Sequence, residues 1–128
     1  MDTFNIVVLS LSGLLLLVIG TLRIMNPIGN YENNSGIKIA NDINLLNEVR
    51  GTSALMLLGG ATVLSGTMIT QLTTSSFVVA IVIFLGFAVG RSLSMGLDGR
   101  PNKLLIRGLA SELVLGALNG FGLFHCLL

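Results

Sequence analysis

Two charged residues stand where charge is costly. Glu112 lies inside the apolar stretch 104–128, and Arg91 lies inside the apolar stretch 77–97. At a helical rise of about 1.5 Å per residue, Glu112 falls about 12 Å beyond Leu104 and Arg91 about 9 Å before Leu97. On consecutive antiparallel helices the two therefore reach similar depth. An unpaired charge at membrane depth costs about 2.5–3.5 kcal/mol even on a lenient scale. The favoured reading is an Arg91–Glu112 ion pair that clamps the two helices together, because an always-charged arginine makes a good clamp and a poor proton relay. The competing reading is an ion- or proton-accepting carboxylate gated by the arginine.

More polar groups gather at the same end. Glu48 and Arg50 stand at the mouth of the stretch 51–71, and Asp98 and Arg100 stand between 77–97 and 104–128. With Arg23 they are expected to form a polar network around the Arg91–Glu112 layer. The network reads as a salt-bridge ring that fixes helix register, ahead of a substrate vestibule. Arg100, Lys103 and Arg107 cluster at the start of the last stretch, where free backbone N–H groups and the helix dipole also favour anions. Beyond plain anchoring, they are candidates to contact an anionic lipid headgroup or a phosphate.

Enzyme chemistry finds little support. There is no serine–histidine–acid set, Walker loop, CxxC or HExxH motif. His125 and Cys126 are adjacent and so point in different directions, and no second ligand stands at matching depth, so neither a metal nor another cofactor is expected. A single cysteine also excludes an intrachain disulfide. The net charge of +1, with no interleaving of basic and aromatic residues, argues against nucleic acid as a partner.

The elements that must hold these residues follow from composition. The chain of 128 residues is 52% hydrophobic and only 10% charged, against roughly a quarter charged in soluble domains. A short soluble domain has too little interior to hide that apolar surface; a lipid bilayer does not require it to. Four stretches approach the ~20 apolar residues a membrane helix needs: 4–25, 51–71, 77–97 and 104–128. They predict an all-α, integral membrane four-helix bundle forming one transmembrane domain over residues 1–128. The run Ile6–Ile19 has neither a basic segment before it nor a small-x-small site after it, and is expected to be a retained first span.

In the first connection, Asn26-Pro27 is expected to end the first helix, followed by turn chemistry at Gly29-Asn30 and Asn33-Asn34-Ser35-Gly36. Ile39, Ile43 and Leu46 then recur at helical spacing opposite Asn41, Asp42 and Asn44, which predicts a short amphipathic interfacial helix. Thr73-Thr74-Ser75-Ser76 reads as a tight polar turn. Small residues at four-residue spacing, Gly86, Gly90 and Ser94 in the third stretch and Gly108, Gly116 and Gly120 in the fourth with Glu112 filling the interval on the same stripe, predict faces where helix backbones pack closely. All seven basic side chains fall in or beside the first and third connections, three in one and four in the other. That asymmetry puts connections 26–50 and 98–103 in the cytoplasm and both termini outside.

Three passages carry a resemblance: Asn47-Glu48-Val49-Arg50-Gly51; Arg91-Ser92-Leu93-Ser94 running into Asp98-Gly99-Arg100-Pro101; and Glu112-Leu113-Val114-Leu115-Gly116. In this order and spacing the chain resembles the small four-span bacterial membrane proteins grouped as domain of unknown function 4345. The resemblance implies a four-helix bundle in the bacterial inner membrane, with Glu48, Arg50, Arg91, Asp98, Arg100 and Glu112 as characteristic polar positions. It implies no activity. The long asparagine-rich first connection departs from the pattern. Three functions remain in play: a non-catalytic accessory subunit of a larger membrane complex, which is placed first; a small oligomeric carrier or channel using Glu112 and Arg91; and a lipid- or quinone-binding protein. Besides the bilayer, the expected partners are other membrane subunits or further copies of the chain.

Overall fold

The computed structural model describes residues 2–128, which are helical through most of their length, with no strand among them. The helices are α1 (Thr3–Met25), α2 (Pro27–Ser35), α3 (Ile43–Met68), α4 (Thr73–Asp98) and α5 (Lys103–Leu127), with a 3-10 turn at Thr70–Leu72. Four of the five helix starts have a local cap. Asp2, Asn26, Asp42 and Asn102 accept a hydrogen bond from the first-turn amides of α1, α2, α3 and α5, as good N-caps do.

The four long helices run up and down around a core of Leu9 and Leu16 from α1, Met56 and Val63 from α3, and Phe77, Ala80 and Phe84 from α4. α1 lies along α3, α3 along α4 and α4 along α5. Both described termini share one end, where Phe4 meets Phe121 edge-on with ring centroids 5.4 Å apart. The charged connections share the other end, tied by Asn102, whose side-chain amide donates to the Ser35 carbonyl at 2.9 Å.

Three sequence expectations change here. First, α1, the stretch Thr70–Asp98 and α5 are long and apolar enough to cross a membrane, whereas α3 is not among them. The cause is its content of Thr52, Ser53, Thr62, Ser65 and Thr67 with Glu48 and Arg50 in its opening turns. Second, no separate interfacial helix forms around Ile39–Leu46. Residues 36–42 are non-helical, and Ile43 is already the first residue of α3 because Asp42 caps it. The short helix of this connection is α2 instead: Pro27 suits the first helical position, Asn26 caps Gly29, and Gly36 closes the helix at φ 66°. The same Asn-Pro pair thus ends one helix and begins the next. Third, the second turn sits at 69–72, and Thr73 begins α4 with its hydroxyl donating to the Gly66 carbonyl at 2.8 Å.

The packing glycines also differ from the predicted set. Gly86 and Gly90 face outward, with nothing within 4 Å of where a Cβ would lie, and Ser94 is exposed. Gly120 and Gly108 likewise have open space, while Gly116 is buried against Leu85. Backbones meet instead at Gly13 and Gly20 on α1 and Gly60 on α3. Four-residue spacing sets one stripe but says nothing about which way the stripe faces. Replacing Gly86 or Gly90 with alanine is therefore expected to leave the fold intact and to raise thermal stability slightly, by up to about 1 kcal/mol each from helix propensity. Thermal unfolding in mild detergent checks this; a loss of stability at either position would show that its face is covered.

Candidate functional site

At the charged end the bundle encloses a cavity of about 170 Å³. Leu15, Leu16 and Ile19 of α1, Phe84 and Phe87 of α4 and Leu104 and Leu105 of α5 make its walls mainly apolar. Three charged side chains line it: Arg23, Arg91 and Glu112. At the opposite end α1 and α5 are joined by Phe4–Phe121 and by Asn119, whose amide donates to the Ser12 hydroxyl at 2.8 Å. The cavity occupies the space between the same two helices nearer the charged connections.

Arg91 and Glu112 meet across it. Arg91 Nε donates to Glu112 Oε1 at 2.7 Å, the one ion pair among the described residues. Glu112 is 8% exposed, and its Oε2 is buried without a hydrogen-bond partner. A carboxylate oxygen in a low-dielectric setting is costly to leave unmatched, so this oxygen is poised to accept a further hydrogen bond.

Arg23 reaches the cavity from α1, held by α2. Its guanidinium donates to Asn30 Oδ1 at 3.3 Å and to Ser35 Oγ at 3.3 Å, and lies 4.4 Å from the centre of the Tyr31 ring. It also contacts Met56 Sδ at 3.9 Å. All of these partners are neutral, and they do not use every N–H that a guanidinium carries. The cavity thus holds two cations and one anion in apolar walls, a formal excess of one positive charge.

The other predicted site residues stay apart from it. Glu48, Arg50, Asp98, Arg100, Lys103 and Arg107 are all exposed. Arg50 Nε donates to the Ile24 carbonyl at 3.0 Å, and Asp98 accepts from Ser94 Oγ at 3.1 Å; neither joins the Arg91–Glu112 layer. The predicted network shrinks to Arg23, Arg91 and Glu112 because Glu48 and Arg50 on α3, Asp98 at the end of α4, Lys103 and Arg107 on α5 and Arg100 in the last connection all lie on exposed positions. Arg100, Lys103 and Arg107 flank the start of α5 without lining the cavity. Conversely, Asn30, Tyr31 and Ser35 were missed as site residues. Their signal was present in Asn26-Pro27 and Gly36, a start and a stop nine residues apart in helical sense, which read as turns when taken one by one. His125 stacks edge-on with Phe121 and Phe124 at the other end, and no group of three or more metal-ligating side chains occurs among the described residues.

Fold and site together define a class: a small all-helical bundle built on helices long enough and apolar enough to cross a membrane, with a charged chamber at one end. The family described as Domain of unknown function (DUF4345) matches residues 5–123, and the chain belongs to it. Neither a curated protein nor a solved structure matches the chain.

Proposed function

We propose that the chain is a non-catalytic, multi-pass membrane protein whose chamber binds a small anionic group. The observation that carries this reading is the convergence of Arg23, Arg91 and Glu112 on one apolar-walled cavity, with Arg23 lacking any carboxylate partner among the described residues. A half-buried cation with neutral partners and spare donors is an anion site by charge and by hydrogen-bond inventory.

In this reading α1, α4 and α5 cross the bilayer, and α3 is carried through with them. α3 is 26 residues long, packed between α1 and α4, and its hydroxyls are satisfied internally: Ser53 donates to Val49 O at 2.6 Å and Thr62 to Leu58 O at 2.9 Å. The outward faces support lipid contact, with Val7, Leu11, Leu14 and Val18 on α1 and Val82, Val89 and Leu93 on α4 all exposed. The positive-inside asymmetry orients the chamber to the cytoplasmic side of a bacterial inner membrane.

The accessory-subunit reading ranks second, favoured by the uncovered small-residue face of Gly86, Gly90 and Ser94. The carrier reading ranks lower for a single chain, since Leu9, Val63 and Phe77 fill the opposite half of the bundle and leave no through-path. Purification from native membranes in mild detergent, followed by mass spectrometry, separates these. A bound small anion or anionic lipid that is lost in Arg23→Gln supports the chamber. Migration inside a larger complex at fixed stoichiometry, with no bound anion, would replace it with the accessory role.

A further inference from the structure

The chamber adjoins a groove on the outward side of the bundle. A shallow groove of about 350 Å³ runs between α1 and α5, lined by Leu15, Ala110, Ser111, Val114 and Leu115. Leu15 and Ser111 line both the groove and the charged cavity. The groove walls are apolar apart from the Ser111 hydroxyl, which donates back to the Arg107 carbonyl at 3.0 Å. A charged chamber beside an apolar groove, the two sharing Leu15 and Ser111 as walls, fits an amphiphile, with its headgroup inside and its chain along the helices.

The charges select the headgroup. The chamber carries a formal excess of one positive charge, Arg23 and Arg91 offer spare N–H donors, and Glu112 Oε2 needs a donor in return. A phosphate monoester holding one proton meets all three requirements: it carries one negative charge, its free oxygens accept from arginine, and its P–OH donates to a carboxylate oxygen. A phosphate diester carries the same charge but has no P–OH to give. Size agrees, because a cavity of roughly 150 Å³ accepts a benzene-sized molecule and a phosphate group is no larger.

We infer that the chamber and the α1–α5 groove together bind a lipid with a phosphate-monoester headgroup, of the phosphatidic-acid class, entering sideways from the bilayer. This rests on the anion-binding reading above and adds the tail and the proton. The test uses the full chain in mild detergent with added dioleoyl phosphatidic acid, dioleoyl phosphatidylmethanol (a diester whose headgroup has no hydroxyl) or inorganic phosphate, with bound molecules read by native mass spectrometry. Phosphatidic acid is expected to bind at least about tenfold more tightly than phosphatidylmethanol, since a charged hydrogen bond is gained and an orphaned oxygen filled. Ala110→Phe, on the exposed groove wall, is expected to weaken phosphatidic acid about tenfold while sparing inorganic phosphate. Arg23→Gln should weaken both, with Arg23→Lys partly restoring them if the fold is intact. The triple change Arg100→Gln, Lys103→Gln and Arg107→Gln should leave the lipid preference unchanged. Equal binding of the two lipids, indifference to Ala110→Phe, or loss of preference in the triple variant would overturn the inference. If inorganic phosphate binds through Arg23 but phosphatidic acid gains nothing, the tail site is wrong and the anion chamber stands. If neither phosphate species binds, both readings fall.

Discussion

Glu112→Ala is expected to destabilise the folded protein by about 3–5 kcal/mol, the usual cost of removing one member of a buried ion pair. The loss comes less from the 2.7 Å contact itself than from what it leaves behind: Arg91 would remain charged at the apolar wall of the chamber, with its guanidinium 5.9 Å from the centre of the Phe87 ring. Arg91→Ala should be comparably damaging, because Glu112 is the more deeply buried partner and its carboxylate would then lose its only hydrogen bond among the described residues. Glu112→Gln is expected to cost less than Glu112→Ala, since a glutamine oxygen still accepts from Arg91 Nε. Replacing both residues with alanine should cost clearly less than the two single losses added together, because no charge is then stranded. Unfolding of the single and double variants in one detergent measures the cycle. Strict additivity would show that the two side chains do not depend on each other, and the clamp between α4 and α5 would have to be abandoned.

The second large effect is expected at the α1–α3 crossing. A Cβ on Gly60 would lie 2.7 Å from Gly13 O and 2.7 Å from Leu17 N, and one on Gly20 would lie 2.7 Å from Leu57 N and 2.8 Å from Ser53 O. These are backbone atoms, which cannot rotate away, so the two helices must separate. Gly60→Ala is expected to cost about 1–3 kcal/mol, and Gly60→Val more. The neighbouring Gly59 provides an internal control. Its Cβ would meet only the end of the Ile83 side chain, at 2.5 Å, and that side chain can turn aside. Both alanines gain the same helix propensity, so the difference between Gly59→Ala and Gly60→Ala isolates the backbone contact. Thermal unfolding should rank Gly60→Ala well below Gly59→Ala. A tie or the reverse order would mean that α1 and α3 do not cross at glycine. Because α1 also carries Arg23 and one wall of the chamber, Gly60→Ala should weaken anion binding together with stability, whereas Arg23→Gln should weaken binding far more than stability.

Much of the site could be placed by counting residues. Helical rise alone set Arg91 and Glu112 at matching depth, because a long apolar run admits no secondary structure but helix and every residue advances it equally. The start of α5 was equally legible, since Asn102 accepts from Leu105 N as a local cap whatever surrounds it. Arg23 was legible as a member of the polar network around the Arg91–Glu112 layer, but what holds it there was not. Its position depends on α2, whose nine residues hold too little apolar surface to announce a helix by periodicity and owe their form to Asn26, Pro27 and Gly36. The exposed charges erred in the other direction: Glu48, Asp98 and Arg100 stand at the same end as the layer, yet their positions on α3, at the end of α4 and in the last connection face outward.

Distance along a helix could be read from residue order: the long apolar helices α1, α4 and α5, the shared depth of Arg91 and Glu112, and the gathering of all seven basic side chains at one end. Rotation about a helix axis and the separation of two axes came instead from the packing of the folded bundle. Gly86 and Gly90 have the spacing of a packing stripe but face outward, while Gly13, Gly20 and Gly60 carry the tightest crossing. The chamber exists because α1 and α5 meet at Phe4–Phe121 and Ser12–Asn119 yet leave room beside Arg23 and Glu112. Residue spacing constrains position along an axis to within a turn; the phase of one helix against another is set by the packing of all its neighbours at once.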